Sequence, residues 1–320
     1  MTIVGKLFIN NKIAVVGANG FIGSNLVDYF SKKYEVVAFS SKKLGYTTNQ
    51  KVKFVNSKKF NLKNLKQIKS LKCNRFVYSV SMNHIDTNKN LSNTINVNIK
   101  KFIDFCDIVK KINKKNIVIY LSTFQIYGDL TNQKIITEKT PVNNQNLYAL
   151  THYFCEEYLK QQEDKNFNGI SLRLSNVFGY PLSKKSNAWW LVLNSFCKTI
   201  IKKGQLTIES DGKSYRDFIY IDDLSKLILK IIKNPYKIPK LLNVSSGNCM
   251  SIKQAAYLIK KICKNRLNKE CEIKVLNNSI TTKNNRYFKV KLSRLIKLKT
   301  KKTFSKNIEL FLKKIILLNV

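Results

Sequence analysis

Short apolar runs rich in Val, Ile and Phe alternate with stretches of helical period over the first 175 residues. The runs at 13–16, 35–40, 52–56, 76–80, 117–121 and 170–174 have the length and composition of strands. Several are apolar throughout, as expected of strands covered on both faces. Between them, 21–30 places Ile22, Leu26, Val27 and Phe30 on one helical face, and a later stretch does the same with Ile99, Phe102, Ile103, Cys106 and Val109. Strands and helices taking turns form βαβ units, and right-handed crossovers between them predict an α/β fold around a doubly wound parallel sheet.

Beyond residue 175 the alternation loosens. A polar loop at 183–187, a helix through Trp189 and Trp190, and short strands near Leu206 and Phe218 predict a smaller C-terminal lobe. The Lys-rich end from Lys297 carries an amphipathic stretch around Ile308, Leu310, Phe311 and Ile315, a pattern that predicts a helix packed on the lobe rather than a membrane anchor. The expected division is a sheet domain over 1–175, with 217–247 returning to it, and a substrate-binding lobe from 176–216 and 248–320.

The chain has 320 residues, 44% of them hydrophobic, enough to bury a large core. No window nears the ~18 consecutive apolar residues of a membrane span, and the first twelve residues lack a signal-peptide layout, so a cytoplasmic protein with no membrane partner is expected. Seven scattered cysteines without a Cys-x-x-Cys pair, beside two histidines, predict reduced thiols and no metal. The net charge of +39 invites a nucleic-acid partner. Lysine supplies nearly all of it, evenly along the chain and alongside abundant Asn and Ile, the pattern of A/T-rich codons. No nucleic-acid partner is therefore expected, although the field favours anionic ligands.

Residues 13–23 read Ile-Ala-Val-Val-Gly17-Ala-Asn19-Gly20-Phe21-Ile22-Gly23: a buried strand, three glycines, then a helix. Gly17 permits a tight turn, Gly20 lets backbone amides approach a pyrophosphate, and Gly23 allows helix and strand to pack closely. The helix N-terminus then holds the phosphates, so the loop from Gly17 through Asn19, Gly20, Phe21 and Ile22 to Gly23 is the expected cofactor site of a Rossmann-type sheet. An acid at the end of the second strand would grip the adenosine ribose of NAD. Ser40, Ser41, Lys42 and Lys43 stand there instead, which leaves the cofactor as NADP or NAD and favours NADP.

The Gly-x-x-Gly-x-x-Gly spacing resembles that of the extended short-chain dehydrogenase/reductases, the NAD-dependent epimerase/dehydratase group. So do Leu121-Ser122-Thr123-Phe-Gln-Ile-Tyr127-Gly128, Tyr148-Ala-Leu-Thr-His152, Arg173-Leu-Ser-Asn176-Val-Phe-Gly179-Tyr-Pro181, the segment from Asp211 through Arg216-Asp217-Phe218 to Asp223, and more loosely Asn96 and Asn243-Val-Ser-Ser-Gly247. The resemblance implies a homodimeric enzyme that transfers hydride at the 4-position of a nucleotide-linked sugar, as a 4-epimerase or 4-keto reductase. Phe124-Gln125 stand where the family's dehydratases have Asp-Glu, so dehydration is disfavoured. By the same resemblance Tyr148 is the general base, Thr123 polarises the substrate oxygen, and Asn176, Arg216 and Arg286 face the diphosphate. A phenol of pKa ~10 does this work when its surroundings favour the phenolate.

The family normally has lysine four residues after the tyrosine, and this chain has His152. An imidazole is shorter and, with an ordinary pKa of ~6.5, mostly neutral at pH 7. Either His152 takes over as ribose ligand and proton relay, or catalysis is weakened. The second option leaves a rival reading, a dinucleotide-binding sensor or scaffold of the same fold.

Overall fold

The computed structural model describes residues 11–112, 115–128, 136–144, 146–247, 249–276 and 301–319. In chain order the first half runs β1 (Lys12–Val16), α1 (Phe21–Ser31), β2 (Glu35–Ser40), β3 (Val52–Asn56), α2 (Leu65–Ser70), β4 (Arg75–Tyr78), α3 (Leu91–Thr94), a π-helical turn (Ile95–Lys100), α4 (Lys101–Ile112), β5 (Asn116–Thr123), α5 (Leu147–Gln161) and β6 (Phe167–Leu174). The second half follows with β7 (Asn176–Phe178), α6 (Val192–Lys203), β8 (Gln205–Ile208), β9 (Tyr215–Tyr220), α7 (Ile221–Lys233), β10 (Leu241–Val244), β11 (Cys249–Ser251), α8 (Ile252–Leu267), β12 (Glu272–Val275) and α9 (Lys301–Leu317).

Seven strands form one parallel sheet in the order β10-β6-β5-β4-β1-β2-β3. The six expected strands are all in it, with β10 added beyond β6. The winding direction reverses between β1 and β4, which opens a crevice at the strands' carboxyl ends, the place where ligands bind such sheets. Val16 pairs with both Phe39 and Tyr78, so these ends lie level. In the stretch 217–247, β10 joins the sheet, β9 pairs instead with β7 and β11 in a three-stranded sheet, and α7 packs against α1. One expectation needs correction: Trp189 and Trp190 lie in a turn, and α6 begins only at Val192. Each indole has an aromatic partner outside the helix, Phe311 for Trp189 and His84 for Trp190.

Burial follows the helical period. In α7, Ile221, Leu224, Leu227, Ile228, Ile231 and Ile232 are buried, while Asp222 and Asp223 in the first turn and Lys230 and Lys233 in the last complement the helix dipole. Each such apolar side chain contributes ~1.5–3 kcal/mol on burial. One apolar cluster runs without a break from β1 and α1 through β6, α7 and β9 to α6, α8 and α9, and a second fills the other face of the sheet between α4, α5 and β4. Ile308, Phe311, Leu312 and Ile315 bring α9 into the first cluster. Among the described residues, no helix is long and apolar enough to cross a membrane.

A buried polar knot fixes α5 on the sheet. Arg173 of β6 grips the carboxylate of Glu156 with Nε 3.1 Å from both oxygens and Nη2 2.7 Å from one. Ser122 of β5 donates to the same carboxylate. Arg173 Nη1 donates to the Tyr127 hydroxyl at 2.8 Å, which donates in turn to Asn243 of β10 at 2.7 Å. Both charges are 4% exposed, so removing one leaves the other buried and unmatched. Arg173→Met is expected to lower unfolding free energy by ~3–5 kcal/mol, and adding Glu156→Leu to restore part of it, measured by urea denaturation.

Candidate active site at the carboxyl edge of the sheet

The glycine loop leaves β1 at the crevice. Gly17 has φ +93, and a Cβ there would meet Ser79 at about 3 Å; a Cβ on Gly23 would stand 2.1 Å from the Gly17 carbonyl oxygen. Both positions therefore exclude side chains, while at Gly20 an added carbon would meet only the Gly17 carbonyl oxygen, at 3.2 Å. Gly20 begins α1, whose amino end has no side-chain cap. Its amides are open to an anion, which suits the pyrophosphate of a dinucleotide.

Asn19 points sideways and latches the loop to the end of β2. Its amide donates to Ser40 Oγ and the Lys42 carbonyl, both at 2.8 Å, and more weakly to the Lys43 carbonyl at 3.3 Å. Ser40 is buried in this contact, whereas Ser41 and Lys42 are exposed on the rim.

The other side of the crevice is built by β5 and α5. Asn146 caps α5 by accepting from the Ala149 amide at 2.8 Å. Tyr148, His152 and Glu156 follow at intervals of four and lie on one stripe. Thr123, the last residue of β5, caps the next turn by accepting from the Gln125 amide at 3.2 Å, and its hydroxyl also stands beside the Tyr148 phenol. Burial pushes that phenol up to about 12, against the opposing pull of the Thr123 and Ser81 hydroxyls. His152 is buried, with Nδ1 2.8 Å from the Tyr120 hydroxyl and Nε2 3.1 Å from Ser81 Oγ. Both ring nitrogens are thus engaged within the protein. Burial lowers the imidazole to about 3, so it is neutral at pH 7.

Tyr148 and His152 meet edge to face with ring centroids 4.5 Å apart. His84 approaches from the loop after β4, 6.4 Å from Tyr148 and 5.0 Å from Trp190. On the lobe side, Asn176 is exposed and donates to the Asp217 carbonyl at 3.0 Å, and Arg216 lies on the neighbouring strand, donating to Ser214 Oγ at 2.6 Å and to the Tyr215 carbonyl at 2.8 Å. Buried Asp217 ties these strands together through Ser175 at 2.7 Å and the Ser246 amide at 3.0 Å. Arg286 lies outside the described residues.

Sequence reasoning passed over Ser81, Tyr120 and Asn98. Asn98, rather than exposed Asn96, is the buried asparagine of the π-helical turn, accepting from the Met82 amide at 2.8 Å and donating to Thr151 Oγ1 at 3.0 Å. Among the described residues, no three His, Cys, Asp or Glu side chains gather to hold a metal ion. Concavity alone would point elsewhere: a hollow lined by Lys12, Glu35, Gln50, Lys51 and Ser70 opens at the opposite, amino-terminal edge of the sheet, away from these groups.

A buried neutral histidine has a thermodynamic signature. In the unfolded chain its pKa is near 6.5 and in the folded protein about 3, so its contribution to stability is complete above 6.5 and is lost as pH falls toward the folded value. The slope is ~1.4 kcal/mol per pH unit between those limits. His152→Gln is expected to flatten the fall in stability between pH 6 and pH 4 by ~2–3 kcal/mol relative to the parent, read from urea midpoints across that range.

The chain matches the NAD dependent epimerase/dehydratase family over residues 13–245. It is 27% identical over 267 residues to a Methanocaldococcus jannaschii protein provisionally named UDP-glucose 4-epimerase, covering 78% of this chain and 81% of that one. Its fold is similar to that of UDP-N-acetylglucosamine 4-epimerase from Methanobrevibacter ruminantium M1, solved with UDP-N-acetylmuramic acid, with TM-score 0.80, 21% identity, and 96% and 99% of the two chains covered. It is also similar to UDP-glucuronic acid 4-epimerase from Bacillus cereus, solved with UDP-glucuronic acid and NAD, with TM-score 0.75, 19% identity, and 96% and 99% covered. At these identities the two structures speak for the fold, and the family match spans most of the chain. The protein belongs to the NAD-dependent epimerase/dehydratase family and is an enzyme of that nucleotide-sugar-modifying group.

Proposed function

We propose that this enzyme epimerises a UDP-linked sugar at its 4-position by hydride transfer. The observation that carries the proposal is the Tyr148 phenol flanked by the Thr123 and Ser81 hydroxyls at the crevice that the open amino end of α1 also faces. Tyr148 takes the proton from the sugar 4-hydroxyl and returns it; Thr123 donates a hydrogen bond to the same sugar oxygen as charge develops on it. A nicotinamide dinucleotide bound there would supply the hydride acceptor and donor for the sugar carbon and a positive charge that favours the phenolate. The amides from Phe21 to Gly23 would hold its pyrophosphate, with Gly17 and Asn19 shaping the loop and the Gly20 amide closing it onto the Gly17 carbonyl. Asn176 and Arg216 face the diphosphate of the sugar nucleotide, and the lobe that carries them recognises its base and sugar. UDP rather than another nucleotide is favoured by the similar proteins.

A second reading, a 4-keto reductase that consumes NADPH, draws on one observation. The end of β2 has no carboxylate for the adenosine ribose and presents Ser41 and Lys42 to solvent, which favours a 2′-phosphate. Turnover distinguishes the two readings. With UDP-glucose, UDP-N-acetylglucosamine and UDP-glucuronic acid as probes and NAD or NADP present, the 4-epimer is expected without net cofactor consumption. Tyr148→Phe is expected to lower the rate roughly 10²–10⁴-fold. Net NADPH oxidation by a 4-keto sugar would replace the epimerase with the reductase, and inactivity with every probe would leave the sensor reading.

We infer a homodimer through the outer face of α5. Leu150 and Phe154, one turn apart on that helix, are 51% and 43% exposed, and Leu91 and Ile95, one turn apart on the segment whose π-helical turn packs against α5, are 58% and 44% exposed. A two-fold pairing across this face would cover such side chains in both copies. Light scattering is expected to give twice the chain mass, and Phe154→Lys to shift it toward the monomer.

A further inference from the structure

His152 is held on both sides by uncharged partners. Tyr120, kept protonated by burial, has its hydroxyl 2.8 Å from Nδ1 of His152, and Ser81 Oγ lies 3.1 Å from Nε2. Because Ser81 donates its own hydrogen to the Met82 carbonyl, the hydrogen of the neutral imidazole is assigned to Nε2, which donates to Ser81, and Nδ1 accepts from Tyr120. Ser81 has one hydrogen of its own, donated to the Met82 carbonyl at 2.7 Å, and its oxygen stands beside the Tyr148 phenol. Beyond Tyr120 the chain of contacts ends at Cys155, a thiol kept protonated by burial that donates to the Asn98 carbonyl at 3.2 Å.

No unpaired charge faces this group from the described elements around it. On α5, Glu156 is matched by Arg173. From the loop after β4 comes His84, whose protonation burial disfavours. From β5 come only Tyr120 and the hydroxyl of Thr123. Among the described residues, a phenolate at 148 therefore has hydroxyl donors and no fixed cation beside it.

We propose that Ser81 is the second hydroxyl that holds the Tyr148 phenolate, and that His152 is a neutral clamp that positions Ser81 rather than a cation acting on Tyr148. This rests on Tyr148 being the base of the proposed reaction. When the phenol gives up its proton, Ser81 rotates about its Cβ–Oγ bond, leaves the Met82 carbonyl and donates to the phenolate oxygen. The Nε2–H bond to Ser81 Oγ persists through that rotation, so the clamp neither gains nor loses a proton. Ser81 and His152 are positioning residues in this scheme, and the imidazole contributes no ionisation near neutral pH.

The test follows ionisation of Tyr148 itself, without a sugar nucleotide. Ultraviolet phenolate absorbance is read at fixed alkaline pH as the difference between each protein and its Tyr148→Phe counterpart, with and without saturating NAD. Ser81→Ala is expected to lower the phenolate fraction ~10-fold, a shift of about one pH unit, because one hydrogen bond to the charged form is lost. Ser81→Thr, which keeps the hydroxyl, restores the parent value. Tyr120→Phe shifts the fraction in the same direction as Ser81→Ala but less, and His152→Lys raises it by supplying a fixed charge. The imidazole of His152, followed by NMR, stays neutral from pH 8 to pH 5. A Ser81→Ala protein that ionises like the parent, or a His152 that takes up a proton in that range, overturns the proposal. Inactivity toward every sugar nucleotide would count against the proposed reaction while leaving these titrations in force.

Discussion

Glu156 is the constraint on which the crevice depends. A carboxylate buried beneath a helix must be matched in place, because removing it from water costs several kcal/mol. Its partners, Arg173 on β6 and Ser122 on β5, belong to adjacent strands whose register pairs these two residues directly. The match therefore sets both the rotation of α5 about its axis and its height on the sheet. With the phase fixed at 156, one turn back sets His152 against Tyr120 and another sets Tyr148 beside Thr123. Two side chains remote from any ligand thus determine where the phenol stands.

The same economy of position applies across the sheet. Parallel strands gather their carboxyl ends on one edge, so the turn after β1, the loop after β4 and the end of β5 arrive together without a dedicated scaffold. Gly17 and Gly23 let α1 start almost in contact with that edge, Ser79 closes against the turn, and Asn19 ties it to the loop after β2. Such contacts leave little freedom to rearrange, which suits a site that must hold a long dinucleotide in one geometry.

The fold was legible because strands covered on both faces need continuous apolar runs, and each of the six stood out against its helical neighbours. The glycine loop was legible because its residues act through local backbone geometry. The surroundings of His152 were not. Its partners Ser81 and Tyr120 lie 71 and 32 residues away in sequence, and no local pattern marks a serine or a tyrosine as the neighbour of a particular histidine. Asn98 was hidden by the π-helical turn, whose wider winding changes which residue faces inward and left Asn96 outside. The two tryptophans misled for a related reason: side chains with external aromatic partners need not join the helix beside them. Asn176 and Arg216 lie on adjacent strands, and their reach toward a diphosphate belongs to the proposed function.

The unbroken apolar cluster from β1 to α9 bears on how such an enzyme can acquire a new substrate. A lobe with its own interior could be exchanged whole, like a module on a hinge. Here α6, α8 and α9 share their packing with α7 and the sheet, so transplanting the lobe would tear the interior open along that seam. Divergence is thereby channelled into small changes on the lips of the crevice, where a side chain can change without disturbing what lies beneath.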